Sequence, residues 1–205
     1  MELRHSFLTS WLVVLAIFLG FIALFGATGY YIASRRFKQP LVRFLVRYGV
    51  SFLCLIGLEM GFLWLVPSVH RTMQQLTAAS VGWTLTHAGV DTSVSGSLIT
   101  TNNPTVAYTI DVACLGGVLF WAYLALVMAE FKATVRQRLL GLAAGTVILV
   151  CFNLFRITIS VYVDWRTGVY VHDYFYLFNM AFVLLLWAVW LRTLKPRAAV
   201  PVRTM

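Results

Sequence analysis

Five apolar runs constrain this chain more than any other feature of it. They fall at residues 7–32, 41–66, 114–130, 141–163 and 173–191, and each is close to or beyond the ~20 residues that carry an α-helix across a ~30 Å hydrocarbon layer. In lipid a backbone N–H or C=O has no water to bond, so such a run satisfies itself as a helix. The sequence therefore predicts an all-α integral membrane bundle of about five transmembrane helices. Charged residues are 11% of the chain and apolar ones 60%, which excludes both a soluble domain, normally ~25% charged, and a disordered chain. The third run is the shortest, and Glu130 and Lys132 mark its exit from the bilayer. The first run is longer than the ~7–15 apolar residues of a signal peptide, and its heavier positive charge follows it at Arg35 and Arg36. It reads as a retained helix.

Sixteen Lys and Arg against seven Asp and Glu give a net charge of +9. In a soluble protein that balance points to nucleic acid; here the positions point to topology. Arg35, Arg36, Lys38, Arg43 and Arg47 lie between the first two runs, Lys132, Arg136 and Arg138 between the third and fourth, and Arg192, Lys195, Arg197 and Arg203 after the fifth. All of these loops fall on one side, which the positive-inside rule makes cytoplasmic, with some attraction to anionic membrane lipid. The N-terminus is expected outside, the tail at 192–205 inside, and no nucleic acid as a partner.

The long segment 67–113 then faces outward. It opens with Pro67 and a weakly amphipathic stretch carrying Met73, Leu76, Val81, Trp83 and Leu85, expected to lie along the membrane surface. After a turn signal at Asn102, Asn103 and Pro104, the residues Val106, Tyr108, Ile110 and Val112 alternate with Thr105, Ala107, Thr109 and Asp111. A period of two with β-branched residues reads as a small hairpin that delivers the chain to Cys114. Nothing divides residues 1–205 into more than one membrane domain.

Ionisable groups inside a span are costly, ~2.5–3.5 kcal/mol for Arg at the centre by insertion scales, so each needs a partner or a task. Glu59 and Arg156 both fall roughly 10 Å below the outer ends of their helices at 1.5 Å per residue, deep enough to meet. Asn153, Arg156, Ser160 and Asp164 share one helical face, as do His172, Tyr176 and Asn179 at the start of the last run. Cys114 opens the third run beside Gly116 and Gly117. Three separate elements thus carry a thiol, a guanidinium and an imidazole to the same membrane boundary.

A guanidinium or imidazolium near a thiol favours the reactive thiolate, an imidazole takes and returns protons near neutral pH, and a guanidinium stabilises an oxyanion. Each residue alone has a plainer reading: Cys114 as a small buried side chain, Arg156 as structural glue to Glu59, His172 as an interfacial residue. Cys54 and Cys151 read as structural. His70 and His87 lack metal-ligand spacing, so no metal or cofactor is expected.

Ala113-Cys114-x-Gly116, Asn153-x-x-Arg156-Ile157 and His172, in this order and on this side, resemble the exosortase/archaeosortase family of membrane-embedded cysteine transpeptidases over roughly residues 91–190. The chain resembles a compact member, and it carries Leu115 where the family usually has Ser. The resemblance implies a catalytic set of Cys114, Arg156 and His172; beside it, Asn153 and Glu59 are expected in support from their place on the helices. It implies a prokaryotic cytoplasmic membrane and a protein substrate anchored by a C-terminal hydrophobic helix with a basic tail. That substrate would be cleaved on the extracytoplasmic side through a thioacyl intermediate and passed to an acceptor. Two other readings stand beside it. A thiol redox membrane protein needs cooperating cysteines, and no CxxC is present. A non-enzymatic assembly scaffold would keep Glu59 and Arg156 as a structural pair.

Overall fold

The computed structural model describes residues 39–102 and 105–194. The first expected span, 7–32, and the tail from 195 lie outside the described residues. The remainder is mostly helical, with one small sheet.

Helix α1 (Pro40–Leu65) starts with Pro40 in its first turn, where a missing N–H costs nothing. It ends at Val66, held out of the helical region by the following Pro67, and α2 (Pro67–His87) begins at once. Ala78, Val81, Gly82 and Leu85, at helical spacing, form the buried face of α2. The apolar residues of the predicted amphipathic stretch therefore divide: Val81 and Leu85 are buried, whereas Met73, Leu76 and Trp83 are exposed.

The segment read as a hairpin is a three-stranded antiparallel sheet in the order β1 (Thr92–Ser95), β2 (Leu98–Thr101), β3 (Val106–Thr109). Tyr108 pairs with Ile99 across β3 and β2, and the predicted alternation holds as far as Ile110, with Tyr108 and Ile110 buried and Ala107 and Thr109 exposed; Val112, past the end of the strand, is exposed. Strand β1 packs on α2 at Gly82, where an added Cβ would collide with Val94, and Thr92 Oγ1 donates to Gly82 O at 3.2 Å.

Helix α3 (Gly117–Ala129) has 13 residues, roughly 20 Å of rise, and is shorter than the run that predicted it. Helix α4 (Val135–Thr167) has 33 residues and exceeds the predicted 141–163 at both ends. Its start is set by a capping box, with Gln137 N donating to Thr134 Oγ1 at 3.3 Å and Thr134 N to Gln137 Oε1 at 2.8 Å. Its end is set by Gly168 at φ +66°, whose N–H closes on Asp164 O at 2.8 Å. Helix α5 (Phe175–Thr193) follows a 3₁₀ turn, His172–Tyr174. Among the described residues, Pro40–Phe62 and Val135–Thr167 are long and apolar enough to cross a membrane, and α3 and Phe178–Thr193 are shorter apolar helices.

Two apolar cores result. One lies within the helices around Tyr123, whose hydroxyl donates to Gly141 O at 3.0 Å, with Leu126, Leu149, Val183 and Trp190. The other joins α2, the sheet and the upper part of α4 through Val81, Leu85, Ile99, Ile110, Ile157 and Val161, and it includes Cys114 and Tyr108. Near the opposite end of the helices, Arg47 lies over the Phe131 ring at 5.8 Å and Arg138 Nη2 donates to Glu130 O at 2.6 Å.

Candidate active site

Cys114 sits in a 3₁₀ turn, Ala113–Leu115, between β3 and α3 rather than on the helix itself. Two side chains fix that turn. Asp111 Oδ1 accepts from Cys114 N at 2.9 Å, and Asn153 Nδ2, from the middle of α4, donates to Cys114 O at 2.8 Å. Gly116 reverses the chain at φ +76° with Asn153 packed against it, so a Cβ there would lie 3.0 Å from Asn153 Cγ. This tight fit explains the glycine in Cys114-x-Gly116: the left-handed backbone and the missing side chain are both needed. Gly116→Ala is expected to lower stability by about 1–2 kcal/mol and to disturb the Cys114 turn. A drop in the melting temperature of the purified protein in detergent checks this.

Arg156 is 1% exposed and Cys114 and His172 are each 5% exposed. Burial pushes the Cys114 thiol up to about 11, so the resting sulfur is a protonated thiol and not the thiolate expected from the sequence; the Arg156 guanidinium is near enough for its charge to act in the opposite direction, but more weakly. With the Asn179 amide oriented to satisfy both of its ends, Arg156 Nη1 donates to Asn179 Oδ1 at 3.2 Å and Asn179 Nδ2 donates to Phe175 O at 3.1 Å. Asn179 thereby ties the guanidinium to the first turn of α5. Ser160, on the same face, only donates back to Arg156 O at 2.8 Å. The 3₁₀ turns bearing Cys114 and His172 both pack on α4, as does β3.

The side chain connecting these elements is one that sequence reading missed as a site residue, Tyr108 on β3. Its ring meets His172 edge to face with centroids 5.8 Å apart and stacks near Tyr170 at 6.2 Å. It is also close enough to Cys114 for the two to interact electrostatically. Burial, with Tyr170, Asp164 and Cys114 nearby, pushes the Tyr108 hydroxyl well above the ordinary phenol range. Tyr108 thus stays a neutral phenol wherever an imidazole titrates. The inward position of a period-two strand was legible; that it would face His172 was not.

Of the five residues singled out in the sequence, Asn153 and Arg156 approach Cys114 and its turn, and His172 meets Tyr108. His172 lies in the turn before α5 instead of on its first helical face. Glu59 is directed to the other side of the Cys114 turn, its carboxylate filling the space a side chain on Gly117 would take. Among the described residues no group of three or more His, Cys, Asp or Glu converges as a metal site would.

The family model described as transmembrane exosortase matches residues 2–192 of the chain. No curated protein and no solved structure gives a match.

Proposed function

This chain belongs to the transmembrane exosortase family, and from that premise we propose that it is a cysteine peptidase-transpeptidase using Cys114, Arg156 and His172. The family is one of membrane-bound sorting transpeptidases that act on anchored proteins bearing C-terminal sorting signals. In this reading Cys114 Sγ attacks the carbonyl of the scissile peptide bond while His172 takes the thiol proton. Arg156 stabilises the oxyanion of the tetrahedral intermediate, held in direction by Asn179. The intermediate collapses, the C–N bond breaks, and His172 returns the proton to the departing amine. A thioester on Cys114 remains, to be released to an amine or hydroxyl acceptor or to water. Asn153 acts through the turn by fixing the Cys114 carbonyl.

The observation that carries this reading is the burial of a thiol, a guanidinium and an imidazole from separate elements, with Arg156 near Cys114 and Tyr108 near both Cys114 and His172. A buried cation is costly unless it has partners and a task, and three such groups in one cluster point to chemistry more than to packing. The basic positions support an extracytoplasmic site: Arg43, Arg47, Lys132, Arg136, Arg138 and Arg192 all lie at or near the helix ends remote from the Cys114 turn.

The direct test is to isolate the protein in acid from cells making its anchored substrates and map Cys114 by mass spectrometry. An acyl adduct on the Cys114 peptide, removed by neutral hydroxylamine, is the expected result. Absence of an adduct while cleavage proceeds would exclude the thioacyl route.

A further inference from the structure

Behind the Cys114 turn lies a cavity of about 570 Å³, within the size range of small-molecule sites, walled by α1, α2, α3 and α4. Its walls are mostly apolar, the polar residues among them being Glu59, His70, Asn153 and Thr146, whose hydroxyl is committed to Leu142 O. Three observations distinguish it from loose packing. Asn153 is 7% exposed, and while its Nδ2 is committed to Cys114 O, its Oδ1 is buried with no hydrogen-bond partner among the described residues. Both ring nitrogens of His70 are also buried without such a partner. The Glu59 carboxylate lies against Gly117, and the Asn153 amide against the adjoining Gly116. Unpaired buried acceptors cost on the order of 1–3 kcal/mol each, so their collection at one place calls for a donor.

We propose that this cavity binds a membrane amphiphile with a primary ammonium head, the head seated between Glu59 and Asn153 Oδ1 and the apolar body in the cavity. A carboxylate, an amide oxygen and an imidazole nitrogen are all acceptors, and an ammonium supplies three donors and the complementary charge. A neutral hydroxyl supplies one donor and no charge. The apolar walls take a hydrocarbon body, and the exposed rim residues Phe62 and Val150, on helices of membrane-crossing length, open the cavity toward lipid. The Asn153 amide that would receive the head at its oxygen holds the Cys114 turn with its nitrogen, so occupancy bears on that turn directly. The site needs no thiol chemistry and goes beyond the reaction proposed above.

The test uses the full chain carrying Cys114→Ala, reconstituted in phosphatidylcholine nanodiscs, so that its result is independent of catalysis. The probes are a long-chain primary alkylamine with a diazirine in its chain and the matched alcohol. Photolabelling by the amine is expected on the peptides containing Leu58–Phe62 and Leu149–Asn153, about tenfold above the alcohol. Glu59→Gln is expected to bring the two probes to parity while hydrocarbon labelling persists. Competition by unlabelled amine against unlabelled alcohol reads the same preference without a variant. Equal labelling by amine and alcohol with Glu59 intact would overturn the proposal, as would labelling that spares both the Leu58–Phe62 and the Leu149–Asn153 peptides.

Discussion

Replacing Cys114 with alanine is expected to stop processing of a co-expressed anchored substrate, with a loss of at least about 10³-fold, while the protein still accumulates in the membrane. The side chain is small and sits in an apolar core cluster, so its loss changes packing little beside its effect on chemistry. His172→Ala is expected to cost about 10²–10⁴-fold, and the double variant to be no worse than Cys114→Ala alone, because groups that act in one step are not additive. Immunoblots of the processed and unprocessed substrate, with enzyme level as control, read all three. Full processing with Cys114→Ala would exclude the thiol mechanism and leave the scaffold reading.

Arg156→Lys is expected to slow single-turnover cleavage by about 10²–10³-fold although the charge is kept. The guanidinium donates to Asn179 while remaining near Cys114, and its planar fork serves two directions at once. A lysine ammonium at the end of a flexible chain is a point charge without that geometry. Asn179→Ala, which frees the guanidinium without removing it, is expected to cost about tenfold, mainly in the rate of the chemical step and little in substrate binding. Cleavage at the parental rate in Arg156→Lys would mean that the residue serves only as a buried cation.

The parts of the molecule legible in the sequence are those set by local rules. The apolar run at 41–66 became α1 nearly residue for residue, and the period of two from Val106 to Ile110 gave β3 and its buried side chains. The extent of α4 was written in Thr134, Gln137 and Gly168, but reading by hydropathy stopped where polar residues began. Strand β1 escaped because Thr92–Ser95 has one large apolar residue and therefore no alternation; it is a strand through pairing with β2 and packing on Gly82. At the site, the helical spacing of Asn153 and Arg156 predicted one face, and that face meets the Cys114 turn. The link from Tyr108 to His172 joins residues distant in the chain, and no periodicity encodes it. Depth put Glu59 and Arg156 within reach of each other but does not fix rotation about the helix axis, and the Glu59 carboxylate lies against Gly117.

Helix α3 has a further consequence for which proteins this chain can act on. Its 13 residues rise only about two-thirds of a typical hydrocarbon thickness. In the topology proposed above, with Lys132 and Arg136 at the cytoplasmic interface, the sulfur at its head would sit below the level of the lipid headgroups, as at the bottom of a well. A freely diffusing polypeptide would have to shed its hydration to descend there, whereas one already tethered in the leaflet arrives sideways. On the proposed reaction, much of the selectivity against the cell's soluble proteins would then come from depth alone, before any side chain of the target is read.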